Sequence, residues 1–157
     1  MNTIEIFWQG YLATLPADHP YRSWPIPPTF AFGDNPALAD ELAHLVLAGI
    51  KTATCSSLQH TQIDGDHIFQ PGELSIVLSG NGAPLCVVET VESTIRPYNE
   101  VDAQFAYEEG EDDRSLEAWR AGHWKFFSRT LPSVGLTPTE EMPLICERFR
   151  VIFAAPQ

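Results

Sequence analysis

The chain reads as a mixed α+β domain: a small, curved or closed sheet with helices packed around it. Three observations lead there. Capped helical segments are interleaved irregularly with short apolar strands, Ser79-Gly80-Asn81-Gly82 joins two of those strands as a hairpin, and an isolated strand-like run closes the chain. No regular βαβ series, phosphate-loop glycine motif or dinucleotide fingerprint is present in the sequence. With 157 residues, 44% of them hydrophobic, the chain is long enough for one domain with a real core.

The elements follow in order. Asn2 and Glu5 have capping-box spacing, and Ile4, Trp8, Tyr11, Leu12 and Leu15 recur near a helical period, which predicts a helix from about 3 to 14. Pro16, His19-Pro20 and Pro25-Ile26-Pro27-Pro28 then form an irregular arm, because proline lacks a donor and restricts its predecessor. Tyr21, Trp24 and Phe30 suggest that the arm packs on the domain. Asp34-Asn35-Pro36 starts a helix with Leu38, Leu42, Leu45 and Val46 on its apolar face, and Gly49 ends it.

Residues 51–57 read as a strand, 58–72 as a long polar loop, and 73–78 and 84–91 as the hairpin strands. Asn99 and Asp102 cap a short helix through Ala106. Leu116, Trp119, His123 and Trp124 or Phe127 mark a stronger helix to about Arg129. Leu144 to Phe153 is a final strand, with the more apolar face on Ile145, Phe149 and Val151. The domain reading is 1–31 for the N-terminal helix and proline-rich arm, and 32–157 for the main domain.

Acidic residues number 21 and basic residues 9, a net charge of -12. Clamping a long nucleic acid requires clustered Lys and Arg, so the balance favours a small substrate. Cys55, Cys86 and Cys146 are an odd, widely spaced set without zinc spacing, and read as reduced, buried thiols. No apolar stretch approaches the ~18 residues of a membrane span. The N-terminus does not read as a secretory signal, and a cytoplasmic location is expected.

Chemistry concentrates at two places. Gly49-Ile50-Lys51-Thr52-Ala53-Thr54 delivers a lysine and a hydroxyl just past a helix stop. Lys51 reads either as an ordinary solvated lysine at a helix C-terminus or, if desolvated, as a group able to move a proton near neutrality. Thr54 reads as simple strand propensity or as a nucleophile. Residues three apart in a regular strand face opposite ways, so the two meet only if the chain bends or the lysine reaches round an edge. The second place is Ala106-Tyr107-Glu108-Glu109-Gly110-Glu111. Residues 100–117 hold eight acidic side chains and one basic one, Arg114. Most must be solvated, but one carboxylate buried beside Lys51 would hold it charged or serve as its proton partner.

In ordered combination these segments resemble the ASCH-domain family, relatives of the PUA-like fold. The resemblance runs through Leu47 to Thr54, Pro71-Gly72-Glu73, Cys86 to Val91, Ala106 to Glu111, Asp113 to Arg120, and His123-Trp124-Lys125-Phe126-Phe127. It implies a small PUA-like β-barrel surrounded by helices, with a cleft suited to a nucleobase. Some members remove the acyl group from N4-acetylcytidine, and their catalytic lysine, threonine and glutamate correspond to Lys51, Thr54 and Glu109. On that basis Lys51 is expected to act as base toward Thr54, which attacks the amide carbonyl or positions the water that does. Glu109 is expected to orient Lys51 and help to protonate the leaving amine, and no metal or cofactor is required. Tyr98, Arg120, Ser128, Trp24 and Ser56 are the candidates for substrate binding. Other relatives are metal-dependent ribonucleases or RNA-associated proteins. The partner expected is therefore a nucleoside, with RNA processing or non-catalytic base reading as alternatives.

Overall fold

The computed structural model describes residues 1–156. Helix α1, Thr3–Leu12, begins in the expected capping box: Asn2 accepts from the Glu5 N–H, and Glu5 accepts from the Asn2 N–H. Helix α2, Pro36–Leu47, is capped by Asn35, which accepts from the Leu38 N–H, and buries Ala39, Leu42, Ala43 and Val46. Strands are β1 (Thr29–Phe30), β2 (Ala53–Ser57), β3 (Leu74–Leu78), β4 (Pro84–Pro97) and β5 (Pro143–Ala154). Helices α3 (Leu58–Asp64), α4 (Ala103–Glu109) and α5 (Leu116–Thr130) complete the set, capped by Ser57, Asp102 and Ser115.

Four elements differ from the sequence reading: β1 forms at the end of the expected irregular arm, α4 runs past Ala106 to Glu109, and the other two have local causes. Residues 58–64 form α3 within the expected loop, because Ser57 ends β2 and at once caps the helix. Strand β4 continues past Val91 to Pro97, its outer half carrying polar residues.

The sheet has five strands in the order β1-β3-β4-β5-β2. Strand β1 is parallel to β3, whereas β3/β4 and β2/β5 are antiparallel. The expected β-barrel is therefore corrected to an open sheet with β1 and β2 at its edges. The reason is local. The β1 edge is two residues long and follows Pro25-Ile26-Pro27-Pro28, where missing N–H donors prevent the ladder from extending. The β2 edge stops at the cap of α3.

Contacts divide the chain into two compact units. The first comprises residues 1–47, 74–89 and those from 151 onward. Its core joins Trp8, Tyr11 and Leu12 to Leu74, Ile76 and Val87, with the Phe153 ring 5.1 Å from that of Tyr11. Trp24 lies in this unit, half-exposed, its ring 4.5 Å from Tyr21. The second comprises residues 48–73 and 90–150. Its core gathers Tyr98, Val101, Phe105, Trp119, Phe127 and Leu131 from the helical side against Ala53, Leu144 and Cys146 of the β2–β5 pair. The residues of interest other than Trp24 belong to this second unit. No described helix is long and apolar enough to cross a membrane.

Candidate functional site

Lys51 is delivered by two devices. Gly49, at φ +77°, ends the helical path of α2. The Thr52 N–H then donates to the Glu108 carbonyl at 2.8 Å, and the Thr52 carbonyl accepts from the Phe149 N–H at 3.0 Å. These bonds pin the backbone beside Lys51 between the end of α4 and strand β5. On the other side, α4 stops at Gly110 with φ +76°. A Cβ there would lie 2.7 Å from the Ile50 carbonyl oxygen, so only glycine lets α4 approach this closely.

The lysine is as buried as the core, at 1% exposure, and so is Glu109. Their ends meet at 2.9 Å between Nζ and Oε1, and Lys51 also reaches Glu111 Oε2 at 3.2 Å. Burial alone would lower the lysine pKa. Coulombic attraction and hydrogen bonds from Glu109 and Glu111 outweigh it and raise it above the ordinary value. Lys51 is thus held as an ammonium that donates to both carboxylates.

Glu109 is held from three further directions. Trp119 donates its indole N–H to Oε2 at 2.5 Å, His123 Nε2 lies 3.2 Å from the same oxygen, and the Cys55 thiol also hydrogen-bonds to the carboxylate. Burial pushes this carboxyl up, but Lys51 and His123 hold it well below the usual range. His123 Nδ1 sits 2.9 Å from the Trp119 carbonyl. Both ring nitrogens therefore face acceptors, which requires the doubly protonated imidazolium. Burial would lower its pKa, yet Glu109 leads the opposing effects and the net shift is upward.

Linkage gives the sign. A raised folded pKa stabilises the protein below the unfolded histidine value of about 6.5, and that stabilisation is lost as pH rises through the folded pKa. The stability deficit of His123→Gln relative to wild type should be largest below about pH 6.5 and shrink at higher pH, as read by urea denaturation across pH.

Cys55, Glu109 and His123 place a sulfur, an oxygen and a nitrogen within 4.8 Å of one another, a spacing that recurs in metal sites. The donors do not fit one here. Lys51 and Trp119 already donate to the two Glu109 oxygens, and the His123 nitrogens both carry protons. Burial leads the causes that raise the Cys55 pKa well above the ordinary thiol value, and Glu109 is the next, so Cys55 is a protonated filler rather than a thiolate.

Of the other sequence candidates, Tyr98 and Arg120 meet. They line a cleft of about 500 Å³ with Asn99, Ala121, Trp124 and Glu140. The Tyr98 hydroxyl donates to the Arg120 carbonyl at 2.6 Å, and its ring stacks on Trp119 at 5.6 Å. Trp119 therefore lies between the cleft wall and the carboxylate it donates to. Thr54 does not join the ion pair. In β2, Ala53 belongs to the core under the helices and Cys55 reaches Glu109, so strand alternation turns Thr54 and Ser56 to the other face. Thr54 instead stands opposite Glu147 of β5, whose carboxyl is pushed up to about 7 by burial and by Glu73. Ser56 and Ser128 are exposed, and Trp24 is in the other unit.

Sequence reasoning singled out neither Glu111 nor His123 as a site residue. The available signal for His123 was its position four residues after Trp119, which puts both on one face of α5.

The ASCH domain family model matches residues 28–153. The chain belongs to the ASCH domain family. Two crystal structures agree with that assignment. An ASCH domain from Lactobacillus crispatus is 30% identical, with a TM-score of 0.87 over 96% of this chain and 94% of that one. An Enterococcus faecalis protein of a DUF984 family is 31% identical, with a TM-score of 0.85 over 97% of this chain and 89% of the other. Comparison with curated proteins gives no match. Within this ASCH domain, the clustered Cys55, Glu109 and His123 are consistent with a catalytic site.

Proposed function

We propose that this ASCH domain is an amidohydrolase that removes the acyl group from N4-acetylcytidine or related N4-acylated cytosine nucleosides. The observation that carries the reading is the fully buried Lys51–Glu109 pair, completed by Trp119 and His123. A buried charge network is costly to assemble. This one presents two cations, Lys51 and His123, beside a single firmly ionised carboxylate. That pattern suits a reaction in which negative charge develops on a carbonyl oxygen and an amine leaves.

In this reading the acyl amide approaches the charge cluster at Glu111, its one partly exposed carboxylate. Water attacks the acyl carbon. Lys51 exchanges its bond to Glu111 for one to the oxyanion and gives its proton to N4 as the C–N bond breaks, while His123, whose N–H groups stay on Glu109 and the Trp119 carbonyl, contributes only its charge. Glu109 stays ionised throughout and keeps both cations oriented. Cleavage of RNA is disfavoured by local charge, since residues 108–113 carry five carboxylates and no basic side chain.

The test is chromatography of N4-acetylcytidine incubated with the protein in ¹⁸O water. Cytidine and labelled acetate are expected, and a folded protein that yields neither overturns the reading. Thr54→Val is expected to keep turnover within about tenfold of wild type, because the attacking oxygen is that of water. A loss of about 10²–10⁴-fold would make Thr54 the nucleophile instead.

A further inference from the structure

We infer that Glu111 is the general base of this site, taking the proton from the attacking water, and that Arg114 fixes the turn that carries it. The inference rests on the hydrolytic reading above, which leaves the base unassigned. Three observations point to Glu111.

The first is access. Lys51 and Glu109 are each 1% exposed, whereas Glu111 is 27% exposed while still 3.2 Å from Lys51 Nζ. It joins the buried charges to the outside. The second is occupancy. Glu109 accepts from Lys51 at one oxygen and from Trp119 at the other, with His123 beside the latter. Lys51 and His123 hold it ionised, which makes it a poor proton acceptor. Glu111 is placed oppositely: burial and the neighbouring Glu109 charge raise its pKa, against the pull of Lys51 and His123. Such a carboxylate accepts a proton more readily than Glu109 does.

The third is the turn itself. Asp112 and Arg114 both hold positive φ, +52° and +67°, directly after Gly110. Side chains rarely adopt that backbone, and each instance costs about 1–3 kcal/mol, so surrounding contacts must enforce it. Arg114 supplies them. Its Nε donates to the Tyr107 carbonyl at 2.9 Å, its second guanidinium nitrogen donates to the Ile50 carbonyl at 3.3 Å, and its guanidinium lies 3.6 Å over the Tyr107 ring. One side chain thus ties the Glu111 turn to the residue immediately before Lys51.

The step balances. Glu111 accepts a proton as the water oxygen bonds to the acyl carbon and the carbonyl electron pair moves to oxygen. That pair returns as the C–N bond breaks, and N4 takes a proton from Lys51. Glu111 then passes its proton to the neutral Lys51, which restores both groups and leaves cytidine and the carboxylic acid.

Glu111→Gln is isosteric and partly exposed, so folding should survive. It is expected to lower kcat on N4-acetylcytidine by about 10²–10⁴-fold and to remove the acid limb of the kcat/KM–pH profile. Glu111→Asp should recover part of the rate together with that limb. Arg114→Ala should lower kcat more than it raises KM and leave the limb in place, as a positioning residue does. An active wild type whose Glu111→Gln variant stays within about threefold in kcat, with the limb intact, overturns the assignment alone. A folded wild type that does not hydrolyse the amide overturns the hydrolytic reading. That outcome removes the base assignment with it, whereas loss of the acid limb in Glu111→Gln alone tests Glu111 within an active enzyme.

Discussion

Glu109→Ala is expected to lower the unfolding free energy by about 3–5 kcal/mol, the range for removing one partner of a buried ion pair. The carboxylate accepts from Lys51, Trp119 and Cys55 and faces His123. Its loss strands an ammonium at 1% exposure and an indole N–H in the core. Glu111 remains for Lys51 but does not reach the indole, so relief is partial. The double variant Lys51→Met/Glu109→Leu should recover only part of the deficit, because it removes the stranded ammonium but leaves the Trp119 indole and His123 without their carboxylate. Urea denaturation monitored by tryptophan fluorescence measures both. A Glu109→Ala deficit below about 1 kcal/mol would mean that the pair is not desolvated in solution.

Lys51→Met should abolish turnover while preserving much of the side-chain volume. Removing one preorganised donor from an oxyanion site costs about 10²–10³-fold in kcat, and Lys51 also supplies the proton to the leaving amine. A loss of at least about 10³-fold in kcat, larger than any change in KM, is therefore expected. Lys51→Arg should not rescue. Its planar fork fills the space differently and its proton is held too tightly to be given up. Steady-state kinetics on the folded variants, with circular dichroism as the folding control, reads the effect. Equal losses in binding and turnover would place Lys51 in the scaffold rather than in the chemistry.

Local sequence signals carried most of the fold. Asn2–Glu5, Asn35, Asp102 and Ser115 act as helix caps within a residue or two of the expected starts, because capping depends on side chains three residues apart. What was not legible depends on distant partners. Closure of the sheet is decided at its edges, by a two-residue β1 after a proline run and by Ser57 serving at once as strand end and helix cap.

The candidate site divides the same way. The Lys51–Glu109 pairing, across 58 residues of sequence, was reached through the family resemblance and not through periodicity. Within the acidic run, nothing local separates Glu109 and Glu111 from exposed neighbours such as Asp112 and Asp113. The separation comes from Gly110, whose missing Cβ lets this turn close against Ile50. Thr54 illustrates the limit. A motif keeps its spacing, but strand alternation sends residue 54 to the face of Glu147 and residue 55 to that of Glu109.

Competition between an acylated nucleoside and RNA tests amide hydrolysis at the buried Lys51–Glu109 pair most directly. Wild-type protein is given N4-acetylcytidine and a short single-stranded RNA together, and both are followed by chromatography. Cytidine and acetate appearing while the RNA stays intact is the predicted result. Shortened RNA with untouched N4-acetylcytidine would contradict it and assign the same charges to phosphodiester chemistry.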